Sequence, residues 1–202
     1  MKTSDSTLHG LEPPSPWVTR WAHLLPPSVD LHGKQPSDVL DLACGHGRHM
    51  QFLSSLGHRV LGVDRNVEAL NSASQWGETL LADVEADVEN AAWPLEGRTF
   101  KAVVVTNYLW RELFPHILSS LAEGGVLIYE TFSKGNEAFG KPSRPEFLLQ
   151  PGELLQRCRG WQIVAFEEGF IPSPDRLIQR VVAIRLPSAL EPSALSRIRV
   201  SP

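Results

Sequence analysis

Short apolar runs alternate with amphipathic segments between residues 38 and 160. The apolar runs are typical of strands buried on both faces, and the amphipathic segments have the spacing of surface helices. The predicted strands cover residues 38–43, 59–64, 79–83, 101–107 and 126–132. The predicted helices cover residues 47–56, 66–75, 113–125 and 151–159, and Gly124 and Gly125 are expected to end the third of them. This alternation predicts a parallel sheet with helices on both faces.

The pattern changes after residue 160. The segments WQIVAFEE (161–168) and QRVVAIRL (179–186) are predicted strands, and no helical segment separates them. Two such strands are expected to pair antiparallel, because a parallel pair needs a long crossover. Residues 84–99 and 133–150 have neither period and are predicted to be irregular.

The N-terminal region contains one amphipathic helix, in the stretch SPWVTRWAHLLPP (15–27). Ser15 can cap it, and Pro16 suits its first position. Trp17 and Trp21 share its apolar face, which either packs against the core or covers a substrate pocket. We therefore divide the chain into an N-terminal extension with a short tryptophan-bearing helix (1–36), a main domain (37–187) and a C-terminal tail (188–202).

Composition and charge limit the possible functions. With 202 residues, 42% of them apolar, the chain can form one full-sized globular domain. Its net charge of −4 argues against nucleic acid or an anionic membrane as a partner. Cys44 and Cys158 cannot form a disulfide framework, and no apolar run approaches the roughly 20 residues of a membrane span. We expect a cytoplasmic protein with no membrane partner.

A glycine turn follows the first predicted strand, in VLDLACGHGRH (39–49). Ligands of open α/β sheets bind at the carboxyl ends of the strands, so this turn lies where a ligand is expected. Gly45 and Gly47 fit the first two glycines of the dinucleotide turn G-x-G-x-x-G, but Met50 occupies the third position. A nicotinamide cofactor is therefore disfavoured without being excluded.

Acidic residues accompany the first three predicted strands. Asp41 lies inside the expected site, where a carboxylate would repel a pyrophosphate but attract an ammonium and a sulfonium. Asp64 closes the second strand, where a carboxylate can accept hydrogen bonds from both hydroxyls of a ribose. Asp83 closes the third strand, beside the position expected for an adenine. Together they favour a nucleoside cofactor without phosphate, namely S-adenosylmethionine (SAM).

These segments, together with VLGVDRN, LLADVE, VVVTNYL and LAEGGVLIYETF, resemble the successive motifs of class I SAM-dependent methyltransferases. The resemblance covers residues 38–132, and the helix and two strands at 151–186 complete that family's architecture. It implies a three-layer α-β-α Rossmann-like fold. Its seven-stranded, mostly parallel sheet would have the order 3-2-1-4-5-7-6, with the last strand antiparallel.

The resemblance also implies a cofactor site. Gly45 and Gly47 would lie beneath the cofactor, Asp64 on the ribose, Asp83 with Val84 at the adenine, and Asn107 near the methionine end. The full set of predicted cofactor-binding residues is Asp41, Ala43, Gly45, Gly47, Arg48, Asp64, Arg65, Asp83, Val84 and Asn107. More narrowly, GGVLIYETF followed by GNEAFGKPSRPEFLLQPGEL resembles the tellurite-resistance-type small-molecule methyltransferases.

The loops after the fourth and fifth strands provide the catalytic candidates. In a methyl transfer the protein mainly aligns the nucleophile, the methyl group and the sulfur, so a strong base is optional. Tyr108 could orient a substrate or move a proton, Arg111 could hold an anionic substrate, and Glu130 could act as a base. Their structural alternatives are wall packing, a surface salt bridge and a helix-end contact. Trp110 joins Trp17 and Trp21 as a substrate-side candidate.

No metal site is predicted, because His46 and His49 lack a plausible further set of ligands. The sequence thus predicts a SAM-dependent methyltransferase acting on a small-molecule acceptor, with S-adenosylhomocysteine (SAH) as product. Methylation of RNA or DNA is the nearest alternative, disfavoured by the acidic charge and by NYLW in place of an N/D-P-P-Y motif. A non-catalytic SAM-binding protein and an NAD(P)-dependent oxidoreductase also stay open.

Overall fold

The computed structural model describes residues 12–28, 38–85 and 93–187. The predicted C-terminal tail (188–202) lies outside these ranges. The strands are β1 (Val39–Leu42), β2 (Val60–Asp64), β3 (Glu78–Leu81), β4 (Phe100–Thr106), β5 (Leu121–Phe132), β6 (Gln162–Ile171) and β7 (Arg176–Ile184). The α-helices are α1 (Pro16–Trp21), α2 (Arg48–Ser55), α3 (Val67–Ala73), α4 (Phe114–Ser119) and α5 (Glu153–Arg157). Short 3₁₀ turns cover Ala22–Leu24, Arg111–Leu113, Asn136–Ala138 and Pro145–Phe147.

The described strands form one seven-stranded sheet in the order β3-β2-β1-β4-β5-β7-β6. The strands β1 to β5 pair in parallel, and β7 runs antiparallel to both of its neighbours. The predicted order and the antiparallel last strand are therefore confirmed. Because the strand order reverses between β1 and β4, a crevice opens at the carboxyl ends of these two strands. Within the described ranges, no helix is long and apolar enough to cross a membrane.

Each face of the sheet has its own core, and the alternation of side chains along β1 shows how the two are divided. Leu40 and Leu42 point into the core that also contains Phe100 and Tyr129. Val39 belongs to the opposite core, which includes Met50 of α2. Asp41 alternates with Leu40 and Leu42, so β1 places a carboxylate on the same face as Val39.

The N-terminal helix packs on this second core, as one of its two predicted roles required. Ser15 caps α1 by accepting a hydrogen bond from the Trp17 backbone N–H at 3.1 Å. The rings of Trp17 and Trp21 meet edge to face with centroids 5.7 Å apart, and both side chains are buried. Trp17 also lies under the guanidinium of Arg180, 4.5 Å from its ring centroid. Both tryptophans thus belong to the second core, and their predicted place beside a substrate stays a prediction that this packing does not support.

Two predicted boundaries are also wrong. The helix expected over 113–125 ends at Ser119, and β5 already begins at Leu121. Leu121 pairs with Phe100 and Val126 with Ala102, so the residues between them form an irregularity within β5 rather than a helix end. Asp83, expected to close the third strand, lies beyond the end of β3.

Replacement of Trp17 by alanine is expected to lower the free energy of unfolding by about 3–5 kcal/mol, since it empties a buried site of large volume. Urea denaturation measures this loss. Trp161→Ala removes a partly buried ring and should cost less. A Trp17→Ala protein that is as stable as the unmodified chain, yet binds its ligand poorly, would contradict a packing role.

Candidate functional site

Two adjoining hollows lie at the carboxyl ends of β1, β2, β3 and β4. The first, of about 180 Å³, is lined mainly by the ends of β2 and β3 and the loops after them, with Asp64, Arg65, Asp83, Val84 and Glu85. The second, of about 240 Å³, is lined by Glu12, Gly45, His46, Arg48, His49 and Asn107 among others. Ala43 and Tyr108 belong to both linings, so the two hollows are contiguous.

The glycine turn adopts backbone conformations that favour glycine. Gly45 and Gly47 have φ angles of +55° and +83°. A Cβ atom on Gly45 would meet no atom within 4 Å, whereas one on Gly47 would lie 2.8 Å from the Cβ of Ala73 in α3. Gly45 therefore keeps the wall of the second hollow open, and Gly47 lets α2 approach α3.

Asp64 connects this turn to β2. Its Oδ2 atom accepts a hydrogen bond from the Gly45 N–H at 2.8 Å, and its Oδ1 atom accepts one from the Asn66 N–H at 2.9 Å. Asn66 in turn caps α3. A carboxylate can accept about four hydrogen bonds, so Asp64 retains acceptor capacity towards a ligand in the first hollow.

The first hollow is markedly acidic. Asp83 accepts a hydrogen bond from the Glu85 N–H at 3.0 Å, and the Glu85 carboxylate pairs with Arg65 at 3.2 Å. Together with Asp64, three carboxylates and one guanidinium line this hollow. The lining suits a neutral group rich in hydrogen-bond donors far better than a phosphate.

Asp41 lies on β1 below the glycine turn and is only 1% exposed. Its Oδ2 atom has no hydrogen-bond partner among the residues that the structure describes. Burial raises the pKa of this carboxyl to about 7, with Arg48 lowering it and Asp64 raising it. A cation bound above Asp41 would favour its charged form.

The N-terminal segment closes one side of the second hollow. The carboxylate of Glu12 forms an ion pair with the guanidinium of Arg48 at 2.9 Å. The Ser15 N–H donates to Nε2 of His49 at 3.1 Å. Burial, with a smaller contribution from Arg48, lowers the pKa of His49 to about 3, so this ring is neutral at neutral pH.

Of the three catalytic candidates, the structure brings only Tyr108 to the hollows. Burial, followed by Glu85, raises the pKa of its hydroxyl, so Tyr108 keeps its proton near neutral pH. The hydroxyl is buried without a hydrogen-bond partner among the described residues, so its proton is uncommitted, and the group is a poor base.

Arg111 and Glu130 serve as internal anchors instead. Arg111 donates to both carboxylate oxygens of Glu153 at 2.9 Å, and to the carbonyls of Glu146 and Leu148 at 2.7 Å. It thereby holds the irregular segment before α5 against the turn after β4. Glu130 is buried; its Oε1 atom accepts from the Ser15 hydroxyl at 2.9 Å, and its Oε2 atom accepts from Arg180 at 3.0 Å. Neither side chain lines either of the two hollows, so anion binding by Arg111 and base catalysis by Glu130 stay predictions that these contacts do not support.

Trp110 packs against the first core, and its indole N–H is buried without a partner in the described part of the chain. Most of the predicted cofactor-binding residues do line the hollows, while Gly47 and Asp41 lie behind their walls. Sequence reasoning missed the contributions of Glu12 to the second hollow and of Glu85 to the first. Only the stiff stretch EPPSP, which precedes α1, could have drawn attention to Glu12.

Comparison with known proteins adds independent findings. Residues 39–125 match a family model described as a methyltransferase domain. Over 142 residues the chain is 30% identical to the probable S-adenosyl-L-methionine-dependent methyltransferase TehB of Haemophilus influenzae, covering 66% of this chain and 49% of that protein. The chain thus spans about half the length of the curated relatives it matches.

Solved structures share the fold. TehB from Haemophilus influenzae superposes with a TM-score of 0.59 at 20% identity, over 75% of this chain and 58% of that chain. A SAM-dependent methyltransferase from Mesorhizobium loti gives a TM-score of 0.58 at 18% identity, over 82% and 97%. The SAH-bound magnesium protoporphyrin IX methyltransferase of Synechocystis PCC 6803 gives 0.55 at 16% identity, over 74% of each chain. The predicted Rossmann-like fold is confirmed.

Asp41→Asn is expected to stabilise the ligand-free protein increasingly as the pH rises from 3.8 to about 7, the ordinary and the raised pKa of this carboxyl. In that window the unfolded chain releases the proton more readily than the folded chain, so the unmodified protein loses stability as the pH rises. Asparagine has no such proton. Urea denaturation of both proteins over this range gives the difference, which should level off above the higher pKa. A difference independent of pH would contradict the assignment.

Gly47→Ala is expected to destabilise the fold more than Gly45→Ala. An alanine at either position must adopt a left-handed backbone conformation, which costs about 1–2 kcal/mol of stability. Only the alanine at position 47 would also collide with Ala73. Thermal and urea denaturation of the two variants compare these costs directly. Equal losses would show that Gly47 does not set the approach of α2 to α3.

Proposed function

We propose that this chain is a class I SAM-dependent methyltransferase that transfers a methyl group from SAM to a small-molecule acceptor. Its match to a methyltransferase-domain model and its 30% identity with TehB support the methyltransferase assignment. One observation carries the proposal. A hollow lined by Asp64, Asp83 and Glu85 adjoins a second one formed by the glycine turn. This pair suits a nucleoside joined to an amino acid, without phosphate.

In this proposal the first hollow takes the adenosine. Asp64 accepts hydrogen bonds from the ribose hydroxyls, because its two oxygens are already fixed in direction by backbone N–H groups. Asp83 and Val84 take the adenine. The pairing of Arg65 with Glu85 at 3.2 Å joins the ends of β2 and β3 beside this hollow.

The second hollow takes the methionine end. Gly45 leaves space there, Asn107 supplies polar groups, and Arg48 offers a guanidinium to the carboxylate. The buried Asp41 contributes negative charge beneath the turn. When bound, SAM supplies a methyl group on a sulfonium whose positive charge activates the leaving group. The residues of this chain hold the reactants in line and keep water out.

Two features support a small acceptor that arrives as a nucleophile, such as a thiolate, an amine or a metalloid oxyanion. The second hollow, of about 240 Å³, must hold both the methionine end and the acceptor. Tyr108 keeps its proton near neutral pH, and the His49 ring accepts the Ser15 N–H, so neither is suited to act as a base.

Calorimetric titration with SAM, SAH and NAD⁺ tests the cofactor. We expect the first two to bind and NAD⁺ not to bind. Incubation with SAM and panels of thiols, amines, metalloid oxyanions and short RNAs, with SAH formation as readout, then tests the acceptor. Binding of NAD⁺ without SAH would contradict the proposal, and turnover with RNA alone would contradict its acceptor class.

Asp64→Asn is expected to weaken SAH binding by about 10- to 100-fold, because hydrogen bonds to a charged group contribute about 1.5–3 kcal/mol. The matched control is Asp175→Asn, an exposed aspartate in the turn between β6 and β7. It should bind SAH as the unmodified chain does. Retained affinity in a folded Asp64→Asn protein would contradict the placement of the ribose.

A further inference from the structure

We propose that Glu12 is a positioning residue for the cofactor. It holds Arg48 so that the guanidinium can receive the carboxylate of the amino-acid end of SAM. This inference rests on the proposed function. It gives the N-terminal segment a role in binding that the packing of Trp17 and Trp21 does not provide.

The ion pair places the guanidinium at the wall of the second hollow. Glu12 and Arg48 both line that hollow, and the Nη1 atom of Arg48 donates to Oε2 of Glu12 at 2.9 Å. Within the described ranges, the other N–H groups of this guanidinium have no hydrogen-bond partner. Because an arginine carries five donors in one plane, a second carboxylate can bind the remaining edge while Glu12 stays in place.

The backbone that carries Glu12 is stiff and firmly attached. Pro13 and Pro14 have fixed φ angles, so few conformations connect Glu12 to Ser15. Ser15 is buried and makes three hydrogen bonds: its N–H donates to His49 of α2, its hydroxyl donates to Glu130 of β5, and its oxygen accepts from the Trp17 N–H. These contacts fix the backbone from which Glu12 extends towards Arg48.

The charges around Arg48 explain why such a residue is needed. Arg48 lowers the pKa of the buried Asp41, so its guanidinium is attracted towards the carboxyl beneath the turn. The side chain of Arg48 is 21% exposed, which leaves it room to move. The opposing attraction of Glu12 keeps the guanidinium in the hollow, at the start of α2, where the cofactor's carboxylate is expected.

The test compares two ligands that differ in the amino-acid end. SAH carries the carboxylate, whereas 5′-methylthioadenosine has the same nucleoside and sulfur without it. In calorimetry, Glu12→Gln is expected to raise the Kd of SAH about three- to tenfold and to leave that of 5′-methylthioadenosine unchanged. A merely structural role for Glu12 would weaken both ligands together.

Further variants sharpen the result. Arg48→Ala should show the same ligand selectivity with a larger loss, and adding Glu12→Gln to it should change nothing more, because the partner is gone. Glu12→Asp should recover part of the SAH affinity. The matched control is Glu78→Gln. Glu78 lies at the start of β3, away from the hollows, and its carboxylate pairs with Arg98. This variant should bind both ligands normally.

Contrary outcomes are distinct. SAH binding by Glu12→Gln that equals or exceeds that of the unmodified chain overturns the proposal, since Glu12 would then be idle or a competitor for Arg48. Equal weakening of both ligands overturns it as well. If the unmodified chain binds neither ligand, the proposed function fails too, whereas normal binding with an insensitive Glu12→Gln overturns the positioning role alone.

Discussion

The hydrogen bond from the Gly45 N–H to the Asp64 carboxylate joins the carboxyl ends of β1 and β2, and the site depends on it. It satisfies the backbone N–H of Gly45, whose left-handed φ angle is unfavourable for most other residues. The other carboxylate oxygen accepts the Asn66 N–H and so fixes the start of α3. One side chain thereby joins β2, the glycine turn and α3, and the two hollows lie around it.

Much of this arrangement could be predicted from local patterns. Burial on both faces makes β1, β2 and β4 mostly apolar, and the absence of a helix between β6 and β7 indicated their antiparallel pairing. Parallel strands bring their carboxyl ends to one edge of the sheet. The aspartates at or near these ends could therefore be predicted to lie around one site. The Gly124–Gly125 pair misled the prediction, since glycines end helices and also permit irregularities within strands.

The functions of Arg111 and Glu130 could not be predicted in the same way. Each lies in a loop or strand end that the fold brings near the hollows, so both had suitable positions. What decides their role is the partner, and the partners Glu153, Arg180 and Ser15 are distant in the sequence. A single sequence shows which groups carry charge but not which charges neutralise each other. The same reason hid Glu12, whose contact with Arg48 spans 36 residues.

Ala43 and Tyr108 form a wall common to both hollows. Two weakly binding fragments, one in each hollow, would therefore have neighbouring ends at that wall. Joining them with a short linker makes the second binding event intramolecular, and the combined affinity can exceed that of either fragment by orders of magnitude. Inhibitor chemistry for this protein can thus begin from two small pieces and direct the linker past Tyr108.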